Sequence, residues 1–305
     1  MVERSAGRHV VVAPGMCSGG SLIFGTIGDW TWEAVAAACK LNVFNARNSV
    51  GNPAYLSFYY YRVRGGGVVH PHGLSFGDEL QVSSRVFGLG VSSVLTLHRL
   101  APAWLDVAET PFEPTEFYDA PHPDCMYVEN LNRWVSRSES DSNRHLYEAA
   151  PMEFSNSQLP KIPNQYSPRS ALGHAREYGS FYASDAPNLT AVGGTFTTTY
   201  QLNIVRDFNG AGLLYFASYF SIFDGALLEL WRSMGRSDRQ FLERKLLDQR
   251  VGFFGNADSR TEVRISIRLW RDIRRPAVEL ADMAMHDLKT GRLLAVSATD
   301  LAIIG

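Results

Sequence analysis

The chain has 305 residues and a formal net charge of -2, and this length suits two domains of about 150 residues, each with its own core. A chain this close to neutral has no general electrostatic attraction for nucleic acid or an anionic membrane, so neither partner is expected. Its three cysteines are too scattered for a disulfide framework or a zinc site, and no apolar run approaches the roughly 20 residues of a membrane span. We therefore expect a soluble cytoplasmic protein without a bound metal.

In chain order, the first half begins with a glycine-rich segment and a helix predicted over residues 30–40. Three strand-like runs follow at 55–64, 80–86 and 91–100, rich in Tyr, Val, Phe and Leu with turn residues between them. A polar stretch rich in Ser, Asn and Pro then shows little periodicity. This organisation predicts a first domain over 1–130, an interdomain linker over 131–175 and a second domain over 176–305.

The second half repeats this order, with a helix predicted over 219–234 and strands over 262–270, 277–287 and 293–301. The glycine-rich segments before the two helices align, residues 16–24 on residues 207–215, and this places Ser18 opposite Asn209. An internal repeat of a whole supersecondary unit indicates two copies of one fold.

Residues 207–215 read Asp-Phe-Asn-Gly-Ala-Gly-Leu-Leu-Tyr and resemble the Asp-x-Asp-x-x-Gly-x-x-Tyr-x-x-x-Tyr signature of hot-dog-fold thioesterases, in which the second Asp activates water. Asn209 occupies that position here, so carboxylate-assisted hydrolysis is disfavoured. A glycine-rich loop at a helix N-terminus offers backbone N–H groups to a thioester oxygen that gains negative charge. Gly212 is the candidate donor, and Asn209 either binds the same oxygen or caps the helix. Ser218 and Ser18 complete this predicted set of substrate-binding residues.

Three consecutive tyrosines, Tyr59, Tyr60 and Tyr61, lie inside the predicted strand 55–64. Alternate side chains of a strand share a face, so Tyr59 and Tyr61 fall on the uncharged face that would meet the helix and an acyl pocket, whereas Arg62 and Arg64 fall on the other face. Strand tyrosines usually pack through their rings and keep only the hydroxyl group polar. As catalytic candidates, the face argument ranks Tyr61 first and Tyr59 second.

Two histidines and a serine, His70, His72 and Ser75, follow this strand in a loop. Hot-dog dehydratases use a His base with a Gly four residues later, but Leu74 and Phe76 stand at those positions here. A metal site would need a third ligand that the spacing does not supply. His72 and Ser75 are therefore kept as substrate-binding candidates, beside the alternative that the histidines only bind backbone groups.

Taken together, Asn209, the duplicated glycine-rich loop and the strand with Tyr59 to Tyr61 resemble the bifunctional acyltransferase/decarboxylases of leinamycin-type polyketide biosynthesis, over the whole chain. The resemblance implies the α+β double hot-dog fold, in which two tandem domains each wrap a curved antiparallel sheet around a central helix. It also implies conversion of methylmalonyl-CoA to propionyl on the phosphopantetheine of an acyl carrier protein, through an ester on one of the three tyrosines. Coenzyme A thioester is then the substrate, and no cofactor is bound permanently.

A tyrosine nucleophile would need activation, because a phenol with a reference pKa near 10 is a poor nucleophile at neutral pH. Arg62, Arg64 or a helix N-terminus would have to favour the phenolate. Only four of the 29 basic residues are lysines, and forked guanidinium groups suit the phosphates of coenzyme A, although a GC-rich genome alone also produces arginine richness. Two alternatives stay open: a thioesterase or dehydratase that uses His70 or His72, and a non-catalytic docking module for an acyl carrier protein. Further self-association into a homodimer is expected.

Overall fold

Two similar units, each a long helix lying across antiparallel strands, follow one another along the chain. The computed structural model describes residues 5–17, 19–110, 112–139, 142–182 and 188–303. The first unit and the segment after it contain β1 (Ser5–Val11), α1 (Gly19–Cys39), β2 (Tyr55–Arg64), β3 (Glu79–Gly88), β4 (Ser93–Pro102), α2 (Pro114–Tyr118), β5 (Met126–Glu139), β6 (Ser142–Glu148) and α3 (Arg169–Tyr178). The second unit contains β7 (Leu189–Ala191), β8 (Phe196–Gln201), α4 (Phe216–Ser233), α5 (Asp238–Glu243), β9 (Lys245–Phe253), β10 (Glu262–Asp272), β11 (Val278–Asp287) and β12 (Leu293–Ala302).

The strands of the described residues form one antiparallel sheet in the order β1-β3-β4-β5-β2-β9-β12-β11-β10-β7, with β6 beside β5 and β8 beside β10. The two units meet at the central pair, β2 and β9, where Tyr60 lies opposite Gly252 and Arg64 opposite Asp248. Inside that pair, the Arg62 guanidinium donates to Asp248 through Nε at 3.0 Å and through Nη2 at 2.5 Å. The architecture is the predicted α+β arrangement of two tandem helix-on-sheet units.

The two long helices share one core rather than two separate ones. The Phe24 ring of α1 lies 4.6 Å from the Phe220 ring of α4, and Ile27 and Phe223 are fully buried in the same cluster. Strand residues of both units, including Tyr61 of β2, belong to this cluster as well. Burial of this apolar face is the main force that holds the two units together.

The glycine-rich segment before the first predicted helix is itself helical, because α1 begins at Gly19 and not near residue 30. A Cβ atom at Gly28 would lie 2.3 Å from Cζ of Phe216, and one at Gly25 would lie 2.9 Å from the Tyr215 hydroxyl oxygen. These glycines therefore permit the close approach of α4, which begins only at Phe216. Residues 19–24 are therefore helical, whereas residues 210–215, with which they align, precede α4. No helix in the described part of the chain is long and apolar enough to cross a membrane.

The predicted domain boundary at residue 130 falls inside β5, which continues to Glu139. Three polar residues of this strand, Glu129, Asn130 and Asn132, are buried and interrupt the apolar pattern that would have indicated a strand. The stretch predicted as a linker also contains β6 and most of α3. The first unit therefore extends beyond residue 130, while the division into domains otherwise stays a prediction.

Candidate active site

A β-bulge in β2 decides which way the tyrosines point. Tyr59 has no partner on β5, because its neighbours Phe58 and Tyr60 face consecutive residues of that strand. A bulge adds one residue and so shifts the alternation of the side chains around it. Phe58 and Tyr61 therefore share the face covered by the helices, whereas Tyr59 and Tyr60 pack against a cluster on the opposite face. The prediction that Tyr61 faces the helices is correct, and the same prediction for Tyr59 is wrong.

Tyr61 and Tyr60 are both buried packing residues. Tyr61 is 0% exposed and donates its hydroxyl group to the backbone carbonyl of Phe24 at 3.3 Å. Burial, followed by the influence of Tyr215, raises the pKa of Tyr61 well above its ordinary value. Burial also raises the pKa of Tyr60, with a further contribution from the negative charge of Glu129. Neither residue lines either of the two cavities described below.

Tyr59 lines a cavity of about 220 Å³ at the point where β2 and β9 separate. The two strands pair only as far as Tyr60; beyond it, one wall of the cavity is formed by residues 57–59 and the other by residues 253–256. The ring of Tyr59 meets the ring of Phe254 edge-on at 6.1 Å. Of the three predicted tyrosines, Tyr59 is the half-buried one at a cavity.

Four arginines from distant parts of the chain line the same cavity: Arg133 of β5, Arg144 of β6, Arg176 of α3 and Arg292 in the turn before β12. The lining contains one carboxylate, that of Glu148, so its charge is strongly positive. The guanidinium carbon of Arg133 lies 4.4 Å from the centroid of the Tyr59 ring. The composition shows that most basic residues are arginines. The sequence pattern could not show that these four lie at one cavity.

The arginines predicted to activate the phenol are engaged elsewhere. Arg62 is paired with Asp248, and Arg64 donates from Nη1 to the backbone carbonyl of Phe117 at 2.5 Å. Arg133 takes their place beside Tyr59. The cation beside Tyr59 therefore comes from the neighbouring strand β5 and not from β2 itself.

A stacked pair of rings separates this cavity from a second one of about 310 Å³. Phe58 and Phe216 have ring centroids 3.9 Å apart, and both residues line both cavities. Helix α4 begins at Phe216 without a side-chain cap. The positive end of its dipole is thus directed toward the region that the two cavities share, where it favours negative charge.

Asp29 of α1 is a candidate that sequence reasoning missed. It lines the second cavity together with Tyr215 and Asn209. Burial, and then the negative charge of Glu33, raises the pKa of the Asp29 carboxyl group above its ordinary range. The hot-dog signature directs attention to the loop before α4, whereas this carboxyl group is supplied by the helix of the other unit.

Asn209 and Gly212 hold the shape of their own loop. Oδ1 of Asn209 accepts from the backbone N–H groups of Ala211 and Leu213, both at 3.1 Å, so it caps the loop and not α4. The N–H group of Gly212 donates to the Asn209 carbonyl at 2.8 Å, and its φ of +70° suits glycine. The prediction that this N–H serves as an oxyanion donor is therefore wrong, because it is already used. Asn209 nonetheless lines the second cavity.

The two predicted serines do not join the described site. Ser218 is buried in the first turn of α4, where its N–H group donates to the Tyr215 carbonyl at 3.0 Å, and it lines neither cavity. Ser18 lies outside the described residues.

The predicted histidines and Ser75 lie beyond the other end of β2. From Tyr59 to Arg64 the strand spans about 17 Å, and the loop follows Arg64. Burial and then Arg244 lower the pKa of His72 to about 4, so its imidazole is neutral at physiological pH. Ser75 is exposed and its N–H group donates to Asp78 at 2.7 Å. The structure therefore brings neither residue to Tyr59 or Asn209.

The family of the chain follows from its first half. The family model for the "LnmK N-terminal Hot Dog Fold domain" matches residues 7–183. The chain belongs to the LnmK hot-dog family. The match includes the bulged strand β2 as well as α3, and it confirms the resemblance to leinamycin-type proteins. The sequence has no match among the curated proteins.

Solved structures resemble this LnmK-family chain over almost its whole length. A protein described as an oleoyl thioesterase from Lactobacillus plantarum has a TM-score of 0.60 at 10% identity, covering 99% of this chain and 97% of its own. An acyl-ACP thioesterase from Bacteroides thetaiotaomicron has a TM-score of 0.56 at 8% identity, covering 99% and 100%. The 12:0-ACP thioesterase from Umbellularia californica has a TM-score of 0.52 at 8% identity, covering 99% and 95%. At such low identity the likeness shows the fold alone, and it confirms the double hot-dog architecture.

Proposed function

We propose that this protein is an acyltransferase/decarboxylase that converts methylmalonyl-CoA to propionyl on the phosphopantetheine of an acyl carrier protein. The observation that supports this most is the position of Tyr59, whose phenol lines an arginine-rich cavity beside the first turn of α4. The nucleophile in this proposal is Tyr59, and not Tyr61 or Tyr60, since both of those are buried.

In the first step, the Tyr59 oxygen attacks the thioester carbonyl carbon. A C–O bond forms, the C–S bond breaks, and coenzyme A leaves as the thiol with the phenolic proton. The guanidinium of Arg133, 4.4 Å from the ring centroid, places positive charge beside the attacking group. Negative charge on the carbonyl oxygen is favoured by the N-terminus of α4, at the boundary of the same cavity.

In the second step, the methylmalonyl ester loses its carboxylate. The C–C bond to the carboxylate breaks, carbon dioxide leaves, and the electron pair forms an enolate whose charge lies on the carbonyl oxygen of the ester. A proton from solvent then converts the enolate to the propionyl ester. Fixed cationic and dipolar groups lower the energy of the enolate without reorganisation during the reaction.

In the third step, the thiol of the carrier protein attacks the ester carbonyl, the new C–S bond forms, and the proton returns to Tyr59. Hydrolysis of the ester would compete with this transfer. Asn209 stands where hot-dog thioesterases carry the water-activating Asp, and its Oδ1 is occupied by two backbone N–H groups. Position 209 of the loop before α4 therefore offers water no carboxylate base, which suits a transferase.

A second candidate function is hydrolysis of an acyl thioester with Asp29 as the base. The observation that favours it is the raised pKa of this carboxyl group at the edge of the second cavity. A general base works best when its pKa lies near the working pH. In this case the stacked rings of Phe58 and Phe216 would stand between the base and Tyr59.

One incubation separates the two functions. The protein is mixed with methylmalonyl-CoA and a phosphopantetheinylated carrier protein, and the mass of the carrier is measured together with the free acids released. A propionyl adduct on the carrier supports the acyltransferase/decarboxylase. Free acid without an adduct supports hydrolysis, and the absence of any turnover contradicts both.

A further inference from the structure

Arg133 and Arg176 have guanidinium N–H groups that the protein itself does not fully engage. Nε of Arg133 is buried without a hydrogen-bond partner among the described residues, and its ion pair with Glu148 is long, at 3.7 Å. Arg176 lies exposed on α3 and has no carboxylate partner within the described part of the chain. The Arg133 side chain is 34% exposed and lines the cavity, so its guanidinium is accessible to an anion that arrives with the substrate.

The other two arginines are fixed by the protein itself. Arg144 forms an ion pair with Asp258 at 3.1 Å. Arg292 donates to the backbone carbonyl of Arg144 at 3.0 Å and also to that of Asn256. These two residues shape the rim of the cavity, and Arg133 and Arg176 are the ones with donors available to a ligand.

The position of Arg133 indicates which anion it meets. Its guanidinium lies against the Tyr59 ring, 4.4 Å from the centroid, and therefore close to the carbonyl carbon that Tyr59 would attack. The phosphate of a pantetheine arm lies about 16 Å from the sulfur when the arm is extended. A carboxylate on the carbon next to the thioester carbonyl lies only a few ångströms away and can accept the two parallel hydrogen bonds of a guanidinium.

We propose that Arg133 and Arg176 bind the free carboxylate of the acyl group and so select α-carboxyacyl thioesters over neutral acyl thioesters. The inference rests on the proposed function and adds specificity-determining residues to it. A neutral acyl group would lack the charge-assisted hydrogen bonds to Arg133 and Arg176, and the loss of these bonds is the source of the discrimination.

Carboxylate binding is compatible with the later loss of carbon dioxide. An isolated ion pair would oppose decarboxylation, because the negative charge leaves the carboxylate as the C–C bond breaks. Here the charge moves to the enolate oxygen, which lies in a cavity lined by four guanidinium groups and bordered by the start of α4. The charge thus passes from one stabilising donor to another within the same site.

The test measures binding without transfer, in protein that carries Tyr59→Phe. Dissociation constants for methylmalonyl-CoA and propionyl-CoA are determined by calorimetry, and their ratio is compared before and after Arg133→Gln or Arg176→Gln. The two ligands share every phosphate and differ in the carboxylate. We expect methylmalonyl-CoA to bind more tightly, and each substitution to reduce the ratio by about 10-fold, the size of one charge-assisted hydrogen bond.

The matched control is Arg264→Gln, which removes an exposed arginine of β10 outside the cavity and should leave the ratio unchanged. Arg176 is exposed, so its variant remains informative if Arg133→Gln does not fold. Equal binding of the two thioesters, or equal weakening of both by the substitutions, would overturn the proposal and assign the arginines to the phosphates. If Arg133→Gln and Arg176→Gln reduce the ratio, but protein that keeps Tyr59 forms no propionyl adduct on a carrier, the proposed function alone is contradicted.

Discussion

The two ends of β2 differ in almost every property that a site needs. At the end with Tyr59 the strand is bulged, has separated from β9, and borders a cavity rich in arginine. At the other end, beyond Arg64, the loop with His70 and His72 carries imidazoles whose pKa values are lowered, mainly by burial. Between the ends, β2 and β9 are paired and joined by Arg62 and Asp248. Local opening of a paired sheet, and not the density of polar residues along the chain, therefore marks the candidate site.

The largest expected effect is at the open end. Tyr59→Phe removes the proposed nucleophile and should lower transfer to the carrier protein by roughly 1,000-fold or more, with little change in stability because Tyr59 is only half-buried. Tyr61→Phe is the matched control: it loses one hydrogen bond of 3.3 Å and about 1 kcal/mol of stability, and keeps transfer activity. Carrier acylation is followed by mass spectrometry and unfolding by denaturant titration. If Tyr61→Phe abolished transfer and Tyr59→Phe kept it, Tyr61 would be the better candidate for the nucleophile.

The half of β2 that pairs with β9, from Tyr60 to Arg64, should be sensitive to substitutions that lower stability. Asp248→Asn removes the partner of Arg62. Both side chains are largely buried, 24% exposed for Arg62 and 19% for Asp248. We therefore expect the free energy of unfolding to fall by about 2–4 kcal/mol. Asp238→Asn, in the exposed pair with Arg232, should cost far less stability, because solvent screens an exposed ion pair. Chemical denaturation measures both variants. If both variants lost the same free energy of unfolding, the ion pair of Arg62 and Asp248 would contribute no more to stability than an exposed pair.

A smaller, pH-dependent effect is expected at Glu129, which lies opposite Arg62 on β5. Burial raises its pKa to about 7, above the ordinary value, so the folded protein releases this proton later than the unfolded chain does. The wild-type protein therefore loses stability as the pH rises from about 4.5 to 7. Glu129→Gln removes this loss and should gain roughly 2–3 kcal/mol relative to wild type between pH 5 and pH 8. Thermal unfolding at the two pH values checks this, and a relative gain at the lower pH would be inconsistent with a raised pKa.

The smallest effect is predicted at the histidine end. His72→Gln should change transfer activity by less than the equivalent of roughly 0.5 kcal/mol, because His72 lies beyond the far end of β2 and stays neutral with a pKa of about 4. The pH profile of transfer should likewise show no step from this residue between pH 5.5 and 8. A tenfold loss would support the dehydratase or thioesterase alternative.

Much of the fold was predictable from pattern alone. The alternation and composition of residues 55–64 predicted β2 with its observed bounds, and β10 to β12 differ from the predicted strands by only one or two residues at their ends. β5 was missed because Asn130 and Asn132 are buried polar residues. The start of α1 was missed because the glycines that allow α4 to pack closely look like loop residues in a sequence.

The candidate site was predictable only in part. The tyrosine strand was identified, but a bulge depends on how β2 pairs with β5, and no local pattern revealed it. The arginines converge from distant parts of the chain, and Asp29 is supplied by the helix of the other unit. Such a site is defined by tertiary structure, so the alternation of side chains along one strand could not show which tyrosine borders the cavity.

The most direct test of the central proposal is to trap the acyl-enzyme. The protein is incubated with methylmalonyl-CoA in the absence of a carrier, quenched in acid and digested, and the peptide with residues 55–64 is sequenced by tandem mass spectrometry. The proposal predicts a propionyl or methylmalonyl ester on Tyr59, which disappears when the phosphopantetheinylated carrier is added before the quench. An unmodified peptide, or an ester on Tyr60 or Tyr61, would contradict it.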